Sequence, residues 1–537
     1  MIDRGGKLKK ALRGRRWLRW LPLAGALAAL ILLVGQRAML AHRLYEKNLR
    51  THPRLQRMPL PHAGDKVLIF APHEDDETLG CGGYIQQATA AGATVHVALM
   101  TNGESSKIIR GFYTPVFWLR PESFIQLGYL RQDETLQAVE RLGLPRSAVT
   151  FLGYPNGPLH RMWLPLHWLP DNPAQSARTR LTSSPFPNSL SPGAVYCGQS
   201  MLDDVEKLLL REQPDIIFTL YPNDLDADHR ITYEVVRFAL SELSARRVAF
   251  AQRCRVYTYL VHRGPWPVPM RYRPRQRLVP PAALLSLNHT TWQELPLTWQ
   301  QTLRKHQTIA LYRTQGGTLS SFLSSFARRN ELFARLPRRS WPADASVRET
   351  TVLDDPRADV LVSALFPHGD ITRVALGRRD GRLRVTIDTA GEASPGVTYH
   401  VVLHAGGARP EDRMIIQYDW REEKTAGLLF RQGRLQRLAP EALHAGLSKN
   451  TAALDADWPL SDRHTFFTVS AWTTGGKRFF DHTGAAMLTL APAHSAPHPV
   501  ASFTGVTQTL FNFAGELHGG RYFSTTVDKP EEKPVSR

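Results

Sequence analysis

His73, Asp75, Asp76 and Glu77 fall within a short stretch, Ala71-Pro72-His73-Glu74-Asp75-Asp76-Glu77-Thr78-Leu79-Gly80-Cys81-Gly82-Gly83. An imidazole beside carboxylates is the ligand set of a hydrolytic zinc site, and a spare neighbouring carboxylate can take a proton from water. The stretch follows the apolar run Val67-Leu68-Ile69-Phe70, which reads as a buried strand. Open α/β sheets place their sites just beyond the carboxyl ends of such strands. The plain alternative is a solvated acidic loop with a capping His, and the position at a strand end argues against it.

The stretch resembles the signature of the PIG-L/LmbE-like zinc-dependent N-deacetylases, usually Pro-His-Pro-Asp-Asp-Glu, with Glu74 in place of the second Pro. The resemblance implies that His73 and Asp76 bind zinc or another divalent metal and that Asp75 activates water. A catalytic metal site takes three protein ligands and leaves a position open. The family's second motif, His-x-Asp-His, follows a Pro-Asp-led strand, and Pro214–Leu220 here leads to Asp226-Ala227-Asp228-His229. Asp228 and His229 match, which makes His229 the third expected ligand. Asp226 replaces the family's first His, which supports the oxyanion and handles the proton of the leaving amine. A carboxylate cannot supply that positive charge unless it is protonated. His262, in Thr258-Tyr259-Leu260-Val261-His262-Arg263, is the other candidate donor, or else a supporting group behind the site. The catalytic set expected from the resemblance is therefore Asp75, Asp226 and His262. Weaker likenesses are Leu99–Glu104, Arg131–Glu134, Phe151–Gly157 and Lys305–Gln315, so the resemblance covers about residues 65–335. Arg131 and Glu134 read most simply as an i,i+3 surface pair.

The elements that must position these groups follow from pattern. A chain of 537 residues exceeds one ordinary domain. From 65 to 336 strand-like and helix-like runs alternate, as in an α/β, Rossmann-like, mostly parallel sheet with flanking helices. Helices are expected over Gly83–Ala91, Leu130–Leu142, Met201–Arg211 and Ile231–Leu243. Residues 155–199 form a long insertion rich in Pro, Ser and Trp. With Trp163 and Trp168 near His160 and His167, it reads either as a substrate-facing lid or as an insertion packed on its own aromatics. After a linker-like stretch, residues 350–492 read as an all-β, sandwich-like domain whose strands include Asp359–Leu365, with Asp380-Gly381 and Gly406-Gly407 as turns. Residues 493–537 are a tail, disordered at its end.

Only three cysteines occur, which excludes a disulfide scaffold and leaves one Cys197–Cys254 bridge open. The net charge is +19, and Arg4, Lys7, Lys9, Lys10, Arg13, Arg15, Arg16 and Arg19 crowd the first residues. No nucleic-acid motif accompanies that charge, so no nucleic-acid partner is expected. Instead residues 1–19 lead into the uncharged run 20–36, which reads as a transmembrane anchor followed by a spacer at 37–64. The charge asymmetry puts the amino terminus in the cytoplasm and the rest outside. A cleaved signal peptide is the competing reading, and the weak small-residue pattern after the run favours the anchor.

Taken together, the sequence predicts a single-pass cell-membrane enzyme with its catalytic domain on the extracytoplasmic side. It would remove acetyl groups from the amino sugars of an N-acetylated glycan or glycolipid of the envelope or cell exterior. The rivals are a catalytically weakened glycan-binding protein and an amidohydrolase acting on a non-sugar amide.

Overall fold

The computed structural model describes residues 55–491, apart from 106–119, 286, 288–289, 317–319, 343–346, 360, 423 and 477. The anchor expected at 20–36, most of the 37–64 spacer and the 493–537 tail lie outside the described residues. Among the described residues no helix is long and apolar enough to cross a membrane.

The first sheet contains β1 Gln56–Arg57, β2 Lys66–Ala71, β3 Thr94–Thr101, β4 Val149–Tyr154, β5 Ile216–Leu220, β6 Arg255–Tyr259, β7 Thr291–Pro296 and β8 Asn330–Arg335. Their spatial order is β1-β7-β8-β6-β5-β2-β3-β4. The pairs β4–β3, β3–β2, β2–β5 and β5–β6 are parallel, whereas β8 is antiparallel to both β6 and β7. Every residue of β2 after Lys66 is buried, as expected of a strand covered on both faces. The chain runs outward from β2 through β3 to β4, then returns to β5 on the other side of β2. Strand order therefore reverses between β2 and β5, and a crevice is expected at their carboxyl ends.

The principal helices are α1 Asp76–Ala90, α2 Pro121–Leu142, α3 Gly198–Glu212, α4 Ala227–Ala245 and α5 Trp299–Ile309. Helix α1 starts well before the expected Gly83. Glycines read as breakers in sequence, but here they are contact points. A Cβ on Gly80 would lie 2.1 Å from the Tyr259 ring, and one on Gly83 2.4 Å from Leu297. The glycine run lets α1 lie close against β6 and the segment after β7.

The remainder is β-rich: β9 Arg339–Pro342, β10 Val347–Asp354, β11 Ile371–Arg379, β12 Arg382–Thr389, β13 Thr398–Gly406, β14 Met414–Arg421, β15 Lys424–Arg431, β16 Arg434–Arg437, β17 His444–Ser448, β18 Thr451–Asp457, β19 Phe466–Gly475, β20 Arg478–His482 and β21 Ala486–Ala491. One sheet runs β10-β11-β12-β18-β17 and the other β16-β15-β14-β13-β19-β21-β9, with β20 on β19. Val374, Val385 and Leu454 of the first share a core with Val401, Leu403, Ile416 and Val469 of the second. Asp380 and Gly381 both have positive φ, 52° and 75°, in the tight turn that joins β11 to β12. Gly406, expected in a turn, ends β13 instead. The strand expected at Asp359–Leu365 is a short helix, Leu361–Leu365. An apolar run this short carries no periodicity that separates strand from helix.

The described residues form one compact unit. Strand β13 explains why, because both its faces are buried. Val401 and Leu403 face the core between the two β sheets, whereas Val402 packs with Val235, Phe238 and Ala239 of α4. The 155–199 insertion seals this joint. Trp163 and Trp168 are each 1% exposed, and Trp163 stacks on His404 with ring centres 4.5 Å apart. The lid reading of these tryptophans is therefore corrected: they are part of an internal core. Arg413 crosses the same joint, donating to Glu242 at 2.9 Å and to Asp203 at 2.8 Å. Cys81, Cys197 and Cys254 are buried and unpaired, so the Cys197–Cys254 bridge does not form. Trp163→Ala should leave a cavity at this joint and lower stability by about 3–5 kcal/mol. Denaturant unfolding of the purified variant measures that loss, and an unchanged midpoint would show that the joint carries little of the stability.

Candidate metal centre

The chain leaves β2 at Ala71 and turns through Pro72–Asp75 into α1. Asp75 adopts φ 129° and precedes the helix without a side-chain cap. A non-glycine residue in that region is strained, and such strain is typical of sites where surrounding contacts enforce one geometry. Beyond β5, the segment Asn223–Asp226 enters α4, where the Asp226 side chain caps the helix by accepting the Asp228 N–H at 2.8 Å. Both turns lie at the reversal of strand order.

The two turns bring His73, Asp76 and His229 together, with one donor atom from each within 4.8 Å of the others. His229 Nε2 lies 3.1 Å from Asp76 Oδ2 and 3.2 Å from His73 Nδ1, and His73 Nδ1 lies 3.5 Å from Asp76 Oδ2. The other face of each imidazole meets a carboxylate. His229 Nδ1 is 3.2 Å from Asp224 Oδ2, and His73 Nε2 is 3.4 Å from Asp228 Oδ2. Asp228 is fixed in turn by the Gly157 N–H at 2.6 Å. A ring nitrogen turned inward with a carboxylate behind the other is the usual arrangement of a metal-binding His.

The electrostatics fit a cation. Burial opposes charge on His73, yet Asp228 and Asp76 outweigh it and push its pKa up to about 10. Burial likewise opposes charge on His229, but Asp76 and Asp224 raise its pKa well above the ordinary value. Burial also works against the Asp76 carboxylate, which the two imidazoles nonetheless hold far below its usual range. Two buried imidazolium groups 3.2 Å apart repel each other. One cation accepted by both neutral rings and by Asp76 removes that repulsion. Asp76 Oδ1 is buried without a hydrogen-bond partner, which leaves a further oxygen for the ion. The residues present therefore fit a divalent metal with nitrogen and oxygen ligands.

Asp75 sits beside this set at 8% exposure, and its carboxylate accepts no hydrogen bond among the described residues. Burial, followed by the neighbouring Asp76 charge, raises its pKa well above the carboxylate range. Burial opposes the charge of Asp226, but His229 and His73 hold it ionised. As an ionised helix cap it has no proton to donate. His262 also reaches the site: its ring lies 4.9 Å from that of His229 and stacks on Phe322. Burial, then the His229 charge, lowers the His262 pKa and keeps that ring neutral.

Several supporting residues were missed or misjudged in the sequence. Asp224 was overlooked, although it lies two residues before Asp226 in the same acidic turn. Glu74, read only as a departure, is fully buried with Arg131 Nε at 3.3 Å. Arg131 also donates to the carbonyls of Gly103 and Glu74, both at 2.8 Å. Glu134 accepts from the Thr314 N–H at 2.9 Å. The surface-pair reading of Arg131 and Glu134 is thus corrected, because each faces inward to a different partner. Tyr312 donates to Glu77, and Lys305 pairs with Glu331, which receives the Gly83 and Tyr84 N–H groups at the middle of α1. Beside the centre opens a cavity of about 440 Å³, lined by Gly157, Leu225 and Ala227 on one side and by Trp472, Phe479 and His482 of the β-rich part on the other.

Residues 68–240 match the family model described as PIG-L, GlcNAc-PI de-N-acetylase. Over 181 residues the chain is 27% identical to a 1D-myo-inositol 2-acetamido-2-deoxy-alpha-D-glucopyranoside deacetylase of Corynebacterium urealyticum, covering 33% of this chain and 48% of that protein. A protein of the same name from Mycolicibacterium smegmatis is 37% identical over 83 residues, 16% of this chain and 28% of the relative. The chain thus spans about half the length, or less, of these curated relatives. Among solved structures it is similar to N,N'-diacetylchitobiose deacetylase from Pyrococcus horikoshii, with 18% identity, a TM-score of 0.31, and coverage of 50% of this chain and 84% of that one.

If the inward-facing imidazoles hold a metal, His229→Ala should reduce bound zinc at least about tenfold while circular dichroism stays unchanged. Asp224→Asn should weaken zinc affinity by about 10–100-fold, the usual cost of losing a carboxylate behind a ligand. Elemental analysis after equilibrium dialysis reads both, and full occupancy in His229→Ala would remove that residue from the centre.

Proposed function

Taking residues 68–240 as a PIG-L domain, we propose that this chain is a zinc-dependent N-deacetylase acting on N-acetylated amino sugars. The observation that carries the reading is the convergence of His73, Asp76 and His229 beside the buried Asp75 carboxylate. The relatives named as deacetylases of an acetamido sugar supply the substrate class.

Zinc in this set supplies Lewis-acid polarisation and a more acidic water. The protein's part is acid–base chemistry and positioning. Asp75 accepts the proton of the attacking water at a carboxylate oxygen. Protonated Asp75 then delivers that proton to the departing amine nitrogen. Asp226 is ionised and cannot support an oxyanion, so that role falls to the neutral imidazole of His262. The 440 Å³ cavity is large enough for a sugar unit next to the one being deacetylated. The run at 20–36 supports a membrane anchor with the catalytic part outside, acting on an envelope or extracellular glycan.

Acetate release from a panel of N-acetylated sugars, peptides and small amides by the zinc-loaded chain tests this reading. Asp75→Asn should keep its zinc and lose at least about a hundredfold in kcat. Metal binding without acetate from any sugar would favour a glycan-binding role, and release from non-sugar amides alone would move the substrate class.

Replacing the donor is a separate test. His262→Ala should cost at least about tenfold in kcat, and adding Asp226→His should restore part of it. Unchanged rates in both His262→Ala and Asp226→His would place the oxyanion donor elsewhere.

A further inference from the structure

A second set of carboxylates lies away from the His73–Asp76–His229 group, where the β-rich part meets the turn after β5. Asp355 follows β10, Asp359 precedes the short helix Leu361–Leu365, and Asp481 belongs to β20. One oxygen from each lies within 4.8 Å of the others. Asp355 is 6% exposed and Asp481 0% exposed. Each anchors one oxygen and leaves the other bare. Asp355 Oδ1 accepts Asn223 Nδ2 at 3.0 Å while Oδ2 has no partner. Asp481 Oδ2 accepts the Ile371 N–H at 2.8 Å while Oδ1 has no partner. Asn223 comes from the other side of the joint, is 2% exposed, and its own amide oxygen is also without a partner.

Arg263 Nη2 lies 3.0 Å from Asp359 Oδ2. The carboxylates of Asp355 and Asp481 stay close to Asp359 and to each other. Buried like charges are costly unless a counter-ion neutralises them. Burial, with Asp481 and Asp359 as neighbours, drives the Asp355 pKa far up, and burial with Asp359 nearby pushes Asp481 up to about 9. The group must therefore hold either protons or a metal. Its donors are all oxygen, which suits a hard ion and not zinc. Calcium–oxygen bonds of about 2.3–2.6 Å allow ligand oxygens as far apart as this set permits.

We propose that Asp355, Asp359 and Asp481 form a structural site for a hard divalent cation, with calcium the best fit. The ion fixes Asp355, whose Oδ1 holds Asn223 in the turn that carries Asp224. Asn223 adjoins Asp224, and Arg263 Nη1 donates to the Asn223 carbonyl at 3.0 Å. Occupancy therefore stiffens the turn that orients His229. The site is independent of the deacetylase reading, since none of its ligands belongs to the His73–Asp76–His229 group.

The test uses the full chain, loaded with zinc and freed of other divalent ions, titrated with calcium chloride. Calorimetry should show about one calcium bound per chain, and the melting temperature should rise by at least about 3 °C in millimolar calcium. Asp481→Asn and Asp359→Asn should each weaken calcium binding at least about tenfold while zinc content stays unchanged. His229→Ala should bind calcium as the wild type does. Without calcium, Asp481→Asn should melt no lower than the wild type, because it removes a repelled charge; with calcium it should melt lower. That crossing separates ion binding from simple destabilisation. The proposal is overturned if neither calcium, magnesium nor manganese gives heat or a melting shift. It is equally overturned if Asp481→Asn lowers the melting temperature by the same amount in both buffers, or if calcium binding disappears with His229→Ala and survives Asp481→Asn.

Discussion

The Asp224 carboxylate is the interaction on which the site depends. It is fully buried and accepts three backbone N–H groups. Its Oδ2 accepts the N–H groups of Val261 and His262 beyond β6, at 3.0 and 2.9 Å, and its Oδ1 accepts the Asp226 N–H at 3.0 Å. The same Oδ2 lies 3.2 Å from His229 Nδ1. One side chain therefore fixes the spacing between two strand ends and sets the ring that faces Asp76. Without it, the two parallel strands would still pair, but the imidazole would be free to rotate away. A buried carboxylate with this many donors is cheap to keep charged, whereas the same carboxylate with one donor removed is costly.

The strand-order reversal gives Asp224 its leverage. Beta-strand pairing places His73 and His229, far apart in sequence, at adjacent strand ends. Alternating apolar and amphipathic runs made that part of the fold legible. The buried run of β2 and the matching run of β5 read as strands because they are continuous, apolar and short. The acidic groups after each run are chemically conspicuous, and the resemblance to a family motif singles out His73, Asp75, Asp76 and His229 among them. What sequence hid were the inward partners. Asp224, Glu74 and Arg131 carry no periodic signal, and a charged residue on a helix is usually solvated. Only their burial tells them apart. The start of α1 was hidden for a related reason: glycine has no side chain to report its contacts, so a close approach to Tyr259 and Leu297 looks like a helix break.

The β-rich part is bound into the site's support rather than hung beside it. Its strand β13 buries both faces, so the pattern of a half-exposed strand is absent from Val401–His404. Arg413 brings a guanidinium against Glu242 of α4, and the β20 residue His482 reaches the Leu225 backbone. Asp355 holds Asn223 from the same side. The turn between β5 and α4 is therefore gripped by the first sheet through Asp224 and by the β-rich part through its neighbours. Such a turn resists local opening, and the geometry it sets for His229 is correspondingly rigid.

Asp226 fits this arrangement for structural reasons that differ from the chemical role expected of a His at this place. Asp is among the best residues for capping a helix, and here its side chain satisfies the Asp228 N–H at the positive end of α4. The same charge lies near His73 and Asp228, which makes the centre more attractive to a cation. It also opposes any negative charge that develops on a substrate oxygen nearby, by the same Coulomb term with opposite sign. The residue thus favours holding a metal and disfavours stabilising an oxyanion. Under the proposed deacetylation, the oxyanion then needs a neutral or positive donor from another element. His262 follows β6, is held in place by its own N–H on Asp224, and keeps an uncharged ring 4.9 Å from that of His229. The carboxylate that orients the His229 imidazole thus also positions His262, the donor that the proposed reaction assigns.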